Sequence, residues 1–193
     1  MRSIAFMGPS RGGKSSIAKE IARQLDPNVY GNIGMLSFAD TLREIASTRF
    51  GWTGEKTPKQ RDIIQKASES WKRQHGEDIF AIDLLVRAKC KPACYDTIII
   101  DDLRHGCELG ALRNNTQATI LCIDEEQAEH VWAQAFSAHK TVDDEFSWAV
   151  HRSELEWRGF RHLYQHINND KTSPYGFDIS VNKIMQILHQ GDN

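Results

Sequence analysis

Short apolar runs alternate with amphipathic stretches along most of this chain. Residues 2–7 (RSIAFM) read as a short buried strand, and Gly8 to Gly13 break it. From Ser15 to Leu25, the residues Ile17, Ile21 and Leu25 mark one face of a helix that ends at Asp26-Pro27-Asn28. Residues 33–38 (IGMLSF) fit a second strand, and Leu42, Ile45, Ala46 and Phe50 a helix behind it. Pro58 suits the first turn of a helix over 58–74, with Ile63, Ile64, Ala67 and Trp71 on one face. The stretch 77–89 is apolar on more than one side, which predicts a well-buried helix. Residues 96–101 (DTIIID) give the clearest strand, 106–113 a short helix, and 118–123 (ATILCI) another buried strand. Asp124 suits the cap of a helix striped by Ala128, Val131, Trp132, Ala135 and Phe136. The stretch 142–170 is polar, aromatic and poorly periodic. Residues 177–181 (FDISV) read as a last strand, before a helix carrying Val181, Ile184, Met185 and Leu188 on one face.

Strands and helices in this alternation predict an α/β fold: a central, mostly parallel sheet with helices on both faces. The 193 residues suffice for one such domain. It is expected to carry a helical excursion on the acceptor side at about 51–92 and a lid-like insertion at about 138–173. Composition is ordinary for a globular protein, with 40% apolar and 26% charged residues. A net charge of −2 argues against a long nucleic-acid footprint. No run approaches the roughly 20 apolar residues that span a bilayer. The apolar part of the N-terminus is too short for a signal peptide, so no membrane partner and a cytoplasmic location are expected. Cys90 and Cys94 have Cys-x₃-Cys spacing without a second pair, and the eight histidines show no H-x₃-H pair. Reduced thiols are the simpler reading.

The densest chemical signal is Gly8-Pro9-Ser10-Arg11-Gly12-Gly13-Lys14-Ser15, which fits G-x-x-x-x-G-K-[ST]. Glycines let the backbone curl so that several N–H groups face one anion, and the following helix adds its positive end. Gly8, Ser10, Arg11, Gly12, Gly13, Lys14, Ser15 and Ser16 are therefore the expected binding site for ATP. Lys14 reaches the β- and γ-phosphates, and the Ser15 hydroxyl is a ligand for Mg²⁺. This motif between a strand and an amphipathic helix places the chain among P-loop NTPases, with their three-layer fold. A carboxylate at the end of a buried strand is also needed for the metal shell. Asp101 and Asp102 both qualify, and strand geometry gives them different faces.

Further segments extend the pattern: Ser37-Phe38-Ala39-Asp40 with Leu42-Arg43, Asp102-Leu103-Arg104 with Glu108, Ser153-Glu154, and Phe177-Asp178-Ile179-Ser180-Val181-Asn182. In order and spacing they resemble the phage and bacterial deoxynucleoside monophosphate kinases, over nearly the whole length. The resemblance implies transfer of the γ-phosphoryl group of ATP to a nucleoside monophosphate, in a monomer or homodimer. It favours Asp102 over Asp101 for the metal, makes Asp40, Asp102 and Arg104 catalytic beside Lys14, and assigns Phe38, Arg43 and Glu108 to the acceptor. The region 155–176 is longer and more aromatic than in that family, and Lys183 stands where a glycine is usual.

Arg152, Arg158 and Arg161 lie in the expected lid, where closure would bring them, Arg152 and Arg158 above all, to the transferring phosphoryl group. His151 stands beside them. Lys56, Lys59, Arg61, Lys66, Lys72 and Arg73 form either the acceptor-side phosphate region or a solvated helix face. Two same-fold alternatives change the acceptor, to a hydroxymethylated pyrimidine such as 5-hydroxymethyluracil in DNA or to a phosphomevalonate-type metabolite. A third alternative is an NTP-binding regulator that is not a kinase.

Overall fold

Side chains that alternate along parallel strands feed two separate cores, and this alternation organises the molecule. The computed structural model describes residues 1–55, 57–90, 94–139 and 152–190. Its strands are β1 (Arg2–Met7), β2 (Ile33–Leu36), β3 (Thr97–Ile100), β4 (Gln117–Asp124) and β5 (Gln165–Asn168). They form one parallel sheet in the order β2-β3-β1-β4-β5, with Ala5 beside Ile100, Met7 beside Cys122 and Asp124 beside Asn168.

The helices are α1 (Lys14–Gln24), α2 (Pro27–Tyr30), α3 (Ala39–Phe50), α4 (Pro58–His75), α5 (Ile79–Lys89), α6 (Gly106–Asn115), α7 (Glu126–His139), α8 (Arg152–Phe160) and α9 (Gly176–Gln190). Ile4, Phe6, Ile99, Leu121 and Ile123 point to one face, where Ile17 and Ile21 of α1 and Val181, Ile184 and Leu188 of α9 cover them. Ala5, Met7, Ile98, Ile100, Ile120 and Cys122 point to the other. There Leu84 and Ala88 of α5, Leu109 and Leu112 of α6, and Trp157 of α8 complete the core. Both faces of the sheet are thus dry, as an all-parallel sheet requires.

Local chemistry sets the helix ends. Asp26 accepts the Asn28 amide at 2.9 Å and starts α2, while Thr57 accepts the Gln60 amide at 3.3 Å and starts α4. Gly51 ends α3 with a left-handed φ of 72°, where a side chain would be strained.

Three expectations change. Residues 177–181 are not a strand but the first turns of α9, with Ser180 and Val181 buried and Phe177 and Ile179 exposed. The last strand is β5, inside the stretch without periodicity, because this short edge strand buries only Ile167 and has no apolar alternation to display. The stretch 77–89 is buried on one side only, since Ile82 and Val86 are about half exposed.

The described part of the expected lid packs against the sheet. α8 buries Trp157 completely in the core, with Phe160 and Tyr164 packed against the same cluster. Residues 140–151, including His151, lie outside the described residues, as does Lys56. In the expected excursion at 51–92, α5 belongs to the layer on the sheet, and α4 packs on α3. If α8 is part of the core, Trp157→Ala should destabilise the fold by about 3–5 kcal/mol in denaturant unfolding. A loss below about 1 kcal/mol would mark α8 as a loosely held surface element.

Candidate active site

The loop between β1 and α1 closes around an ammonium group. Lys14 Nζ donates to the carbonyls of Gly8 (2.9 Å) and Pro9 (2.7 Å), and its residue is 7% exposed. Burial, and next the neighbouring Arg104 guanidinium, pull its pKa down to about 7, while Glu154, Asp101 and Asp102 act in the opposite direction.

Backbone freedom at two glycines makes the curl possible. Gly8 has φ 143°, and a Cβ there would stand 2.2 Å from the Ile123 carbonyl oxygen. Gly13 has φ 88°, and its Cβ would meet the Asn169 amide at 2.4 Å. Gly12 N donates to Pro9 O at 3.1 Å, and Arg11 takes a left-handed φ of 66°. Ser10, Arg11, Ser15 and Ser16 are exposed around the loop and the first turn of α1.

The loop is braced by residues that the sequence pattern did not single out. Asn169, buried just after β5, donates its side-chain amide to Gly12 O at 2.9 Å. Lys171 bonds the Arg11 carbonyl and lies 3.5 Å from the Glu125 carboxylate. Neither sits in a periodic segment, so no sequence pattern points to them.

The two aspartates after β3 diverge. Asp102 Oδ1 accepts the Phe38 amide (3.0 Å), and Oδ2 accepts the Ser37 hydroxyl (2.5 Å) and the Ala39 amide (3.1 Å). The structure therefore places Asp102 as the anchor of the α3 N-terminus, with both oxygens engaged, rather than as an open metal ligand. The Asp101 side chain has no hydrogen bond among the described residues, and its charge acts on Lys14. Its oxygens and the Ser15 hydroxyl are the hard donors that Mg²⁺ prefers.

Asp40 accepts the Ser37 amide at 3.0 Å and pairs with Arg43 at 3.0 Å, which ties the same turn from outside. Phe38 is 3% exposed and packs in the core, and it also lines the cleft between α3, α4 and the start of α6.

Past the aspartates, Glu108 Oε2 accepts the amides of Arg104 (2.8 Å) and His105 (2.9 Å). Burial, and next the Asp102 carboxylate, push its pKa up to about 8. The Arg104 side chain turns to Glu154 of α8, a buried residue, and lies beside Lys14.

The three arginines of the expected lid have other partners. Arg152 bonds Glu156 (2.9 Å) and Glu77 (3.0 Å). Arg158 pairs with Glu129 and stacks on Trp132 and Trp157, 3.7 and 4.5 Å from the ring centroids. Arg161 bonds Asp124 and Glu129, both at 2.9 Å. Arg104, by contrast, is the arginine whose charge acts on Lys14.

A cleft of about 680 Å³ opens between α3, α4 and the start of α6. Leu42, Ile64 and Phe80 give it apolar walls, while Arg43, Lys72, Arg73, Arg104 and Arg152 give it cations. Of the basic stretch in α4, Lys72 and Arg73 line this cleft; Lys59 and Lys66 do not. Glu108 reaches it from the floor.

The raised pKa of Glu108 fixes the sign of a pH effect. The folded chain holds this proton more tightly than the unfolded one, so the stabilisation is complete below about 4.5 and is lost as pH rises through about 8. Lys14 acts oppositely, adding stability as pH rises above about 7. Glu108→Gln keeps an acceptor for the two amides and cannot ionise. Denaturant unfolding at about pH 5.5 and pH 9 should show the variant gaining roughly 2–4 kcal/mol on wild type over that range. Parallel curves for the two proteins would mean Glu108 is ionised throughout.

No protein-family model and no curated protein matches the sequence. Solved structures do resemble this one. Shikimate kinase from Bacteroides thetaiotaomicron superposes with a TM-score of 0.54 at 13% identity, over 97% of this chain and 98% of that one. Shikimate kinase from Acinetobacter baumannii, in complex with shikimate, gives 0.53 at 10% identity, over 99% and 94%. Thymidylate kinase from Ehrlichia chaffeensis gives 0.52 at 14% identity, over 97% and 98%. With a parallel sheet in the order β2-β3-β1-β4-β5 and a lysine-bearing loop after β1, the chain has the α/β fold of the P-loop NTPases, in the form shared with these kinases.

Proposed function

We propose that the chain is an ATP-dependent phosphotransferase whose acceptor is a (deoxy)nucleoside monophosphate. The observation that carries this reading is Arg104, which lines the cleft together with Arg43, Lys72, Arg73 and Arg152 and whose charge is felt by the buried Lys14 of the loop. An acceptor bound there would face the γ-phosphate held by the P-loop. Transfer concentrates negative charge on the moving group, and two fixed cations in a site of low dielectric stabilise that charge. The cleft orients the acceptor for in-line attack, which is most of what such a reaction asks of a protein.

Each group has one task in this reading. The Gly8–Gly13 loop supplies backbone donors to the phosphates, and Lys14 exchanges the Gly8 and Pro9 carbonyls for phosphate oxygens. Ser15 and Asp101 hold Mg²⁺, which neutralises phosphate charge when bound. Asp102 keeps the Ser37–Ala39 turn, and with it Asp40 and Arg43, in place. The Arg73 guanidinium, exposed and without an ion pair among the described residues, and the half-sheltered Lys72 attract the acceptor phosphate.

The cations favour a charged acceptor over a neutral alcohol. Of the aromatic residues at 155–176, Trp157 is buried and Phe160 and Tyr164 pack against the core, while Tyr175 is exposed. A screen with labelled ATP over nucleoside monophosphates, small alcohols and hydroxymethylated DNA tests the proposal. Label should pass to a monophosphate, and Lys14→Ala and Asp101→Asn should each lower that turnover by about tenfold or more. Transfer only to a neutral alcohol or to DNA would overturn the acceptor assignment. Full activity of Asp101→Asn would remove Asp101 from the metal shell.

A further inference from the structure

Glu154 is the oddest polar group in the site. It is 4% exposed, and one carboxylate oxygen binds the Arg104 guanidinium. The other oxygen, Oε2, is buried and has no hydrogen-bond partner among the described residues. A purely structural ion pair normally satisfies both oxygens, because an orphaned buried acceptor is costly. Here the cost is borne within reach of Lys14, whose charge Glu154 favours and Arg104 opposes.

The surroundings hold the pair in place from both ends. Arg104 has its amide fixed by Glu108 Oε2 at 2.8 Å. Glu154 sits one helical turn before Trp157, which is fully buried. The guanidinium uses one nitrogen on Glu154, and its remaining donors bind none of the described residues. An arginine held this way keeps donors free and needs little reorientation when charge develops nearby.

We propose that Glu154 is a positioning residue for phosphoryl transfer: it aims Arg104 at the transferring group and keeps two like charges together at the P-loop. The inference rests on the kinase reading above. Its chemistry is electrostatic and adds no covalent step. Removing the carboxylate leaves Arg104 repelled by Lys14 and free to turn away, so the loss falls on the transition state more than on ATP binding.

Turnover of saturating MgATP is measured with the best acceptor and with water alone. E154Q keeps the shape and loses the charge. It should lower kcat by about tenfold or more and leave KM for ATP within about twofold of wild type, at an unchanged urea midpoint. E154M serves the same comparison should E154Q unfold. Adding E154Q to R104A should cost nothing beyond R104A alone, since the two act as a unit. Wild-type turnover in E154Q, or losses that multiply in the double variant, would overturn the role of Glu154 while leaving the kinase reading intact. A wild-type chain that transfers phosphate to neither acceptor nor water would overturn the kinase reading, and the role of Glu154 with it.

Discussion

A buried ammonium is the constraint on which the rest depends. Lys14 is almost wholly out of water, and an uncompensated charge there would be prohibitive. The loop meets that demand with its own carbonyls, which requires the backbone turns at Gly8 and Gly13. Those turns in turn require bare α-carbons, because Ile123 and Asn169 stand where side chains would go. The close packing of β4 and of the segment after β5 on the loop follows from the same demand. A site built this way is poised for exchange: phosphate oxygens offer the ammonium a stronger partner than neutral carbonyls do.

From that centre, charge is distributed by strand geometry. Successive residues leave a strand on opposite sides, and the structure uses Asp101 and Asp102 accordingly. Asp102 is consumed by the Ser37–Ala39 turn and fixes the near wall of the cleft. Asp101 stays open beside Lys14. Two residues past Asp102, Arg104 is drawn over by Glu154, so α8, anchored through Trp157, becomes part of the electrostatics of the loop. Packing on that face of the sheet thereby reaches the site through the Arg104–Glu154 ion pair.

How much of this was legible in the sequence varies by element. The P-loop and the strands at 2–7, 96–101 and 118–123 were readable, because buried parallel strands are apolar on both sides and glycines punctuate them. β5 was not, since an edge strand that buries only Ile167 carries no pattern. The segment 177–181 misled because apolar residues two apart fit a strand, while the helix exposes Phe177 and Ile179. The end of β3 pointed to a carboxylate but could not say which, as only tertiary contacts reveal that Ser37 and the Phe38 and Ala39 amides claim Asp102. Arg158 was expected at the transferring phosphoryl group, and here two tryptophans and Glu129 take it up. Asn169 and Glu154 act through contacts distant in the chain, to which no local periodicity points.

The central claim is that phosphate takes Lys14 over from the loop carbonyls, and calorimetry tests it most directly. With its pKa near 7, the free lysine is largely neutral at about pH 8, and a bound triphosphate would restore its proton. Titration of MgATP in buffers of different ionisation enthalpy at that pH should show uptake of about one proton per site, absent in Lys14→Met. Binding with no proton uptake, or uptake that survives in Lys14→Met, would contradict the account.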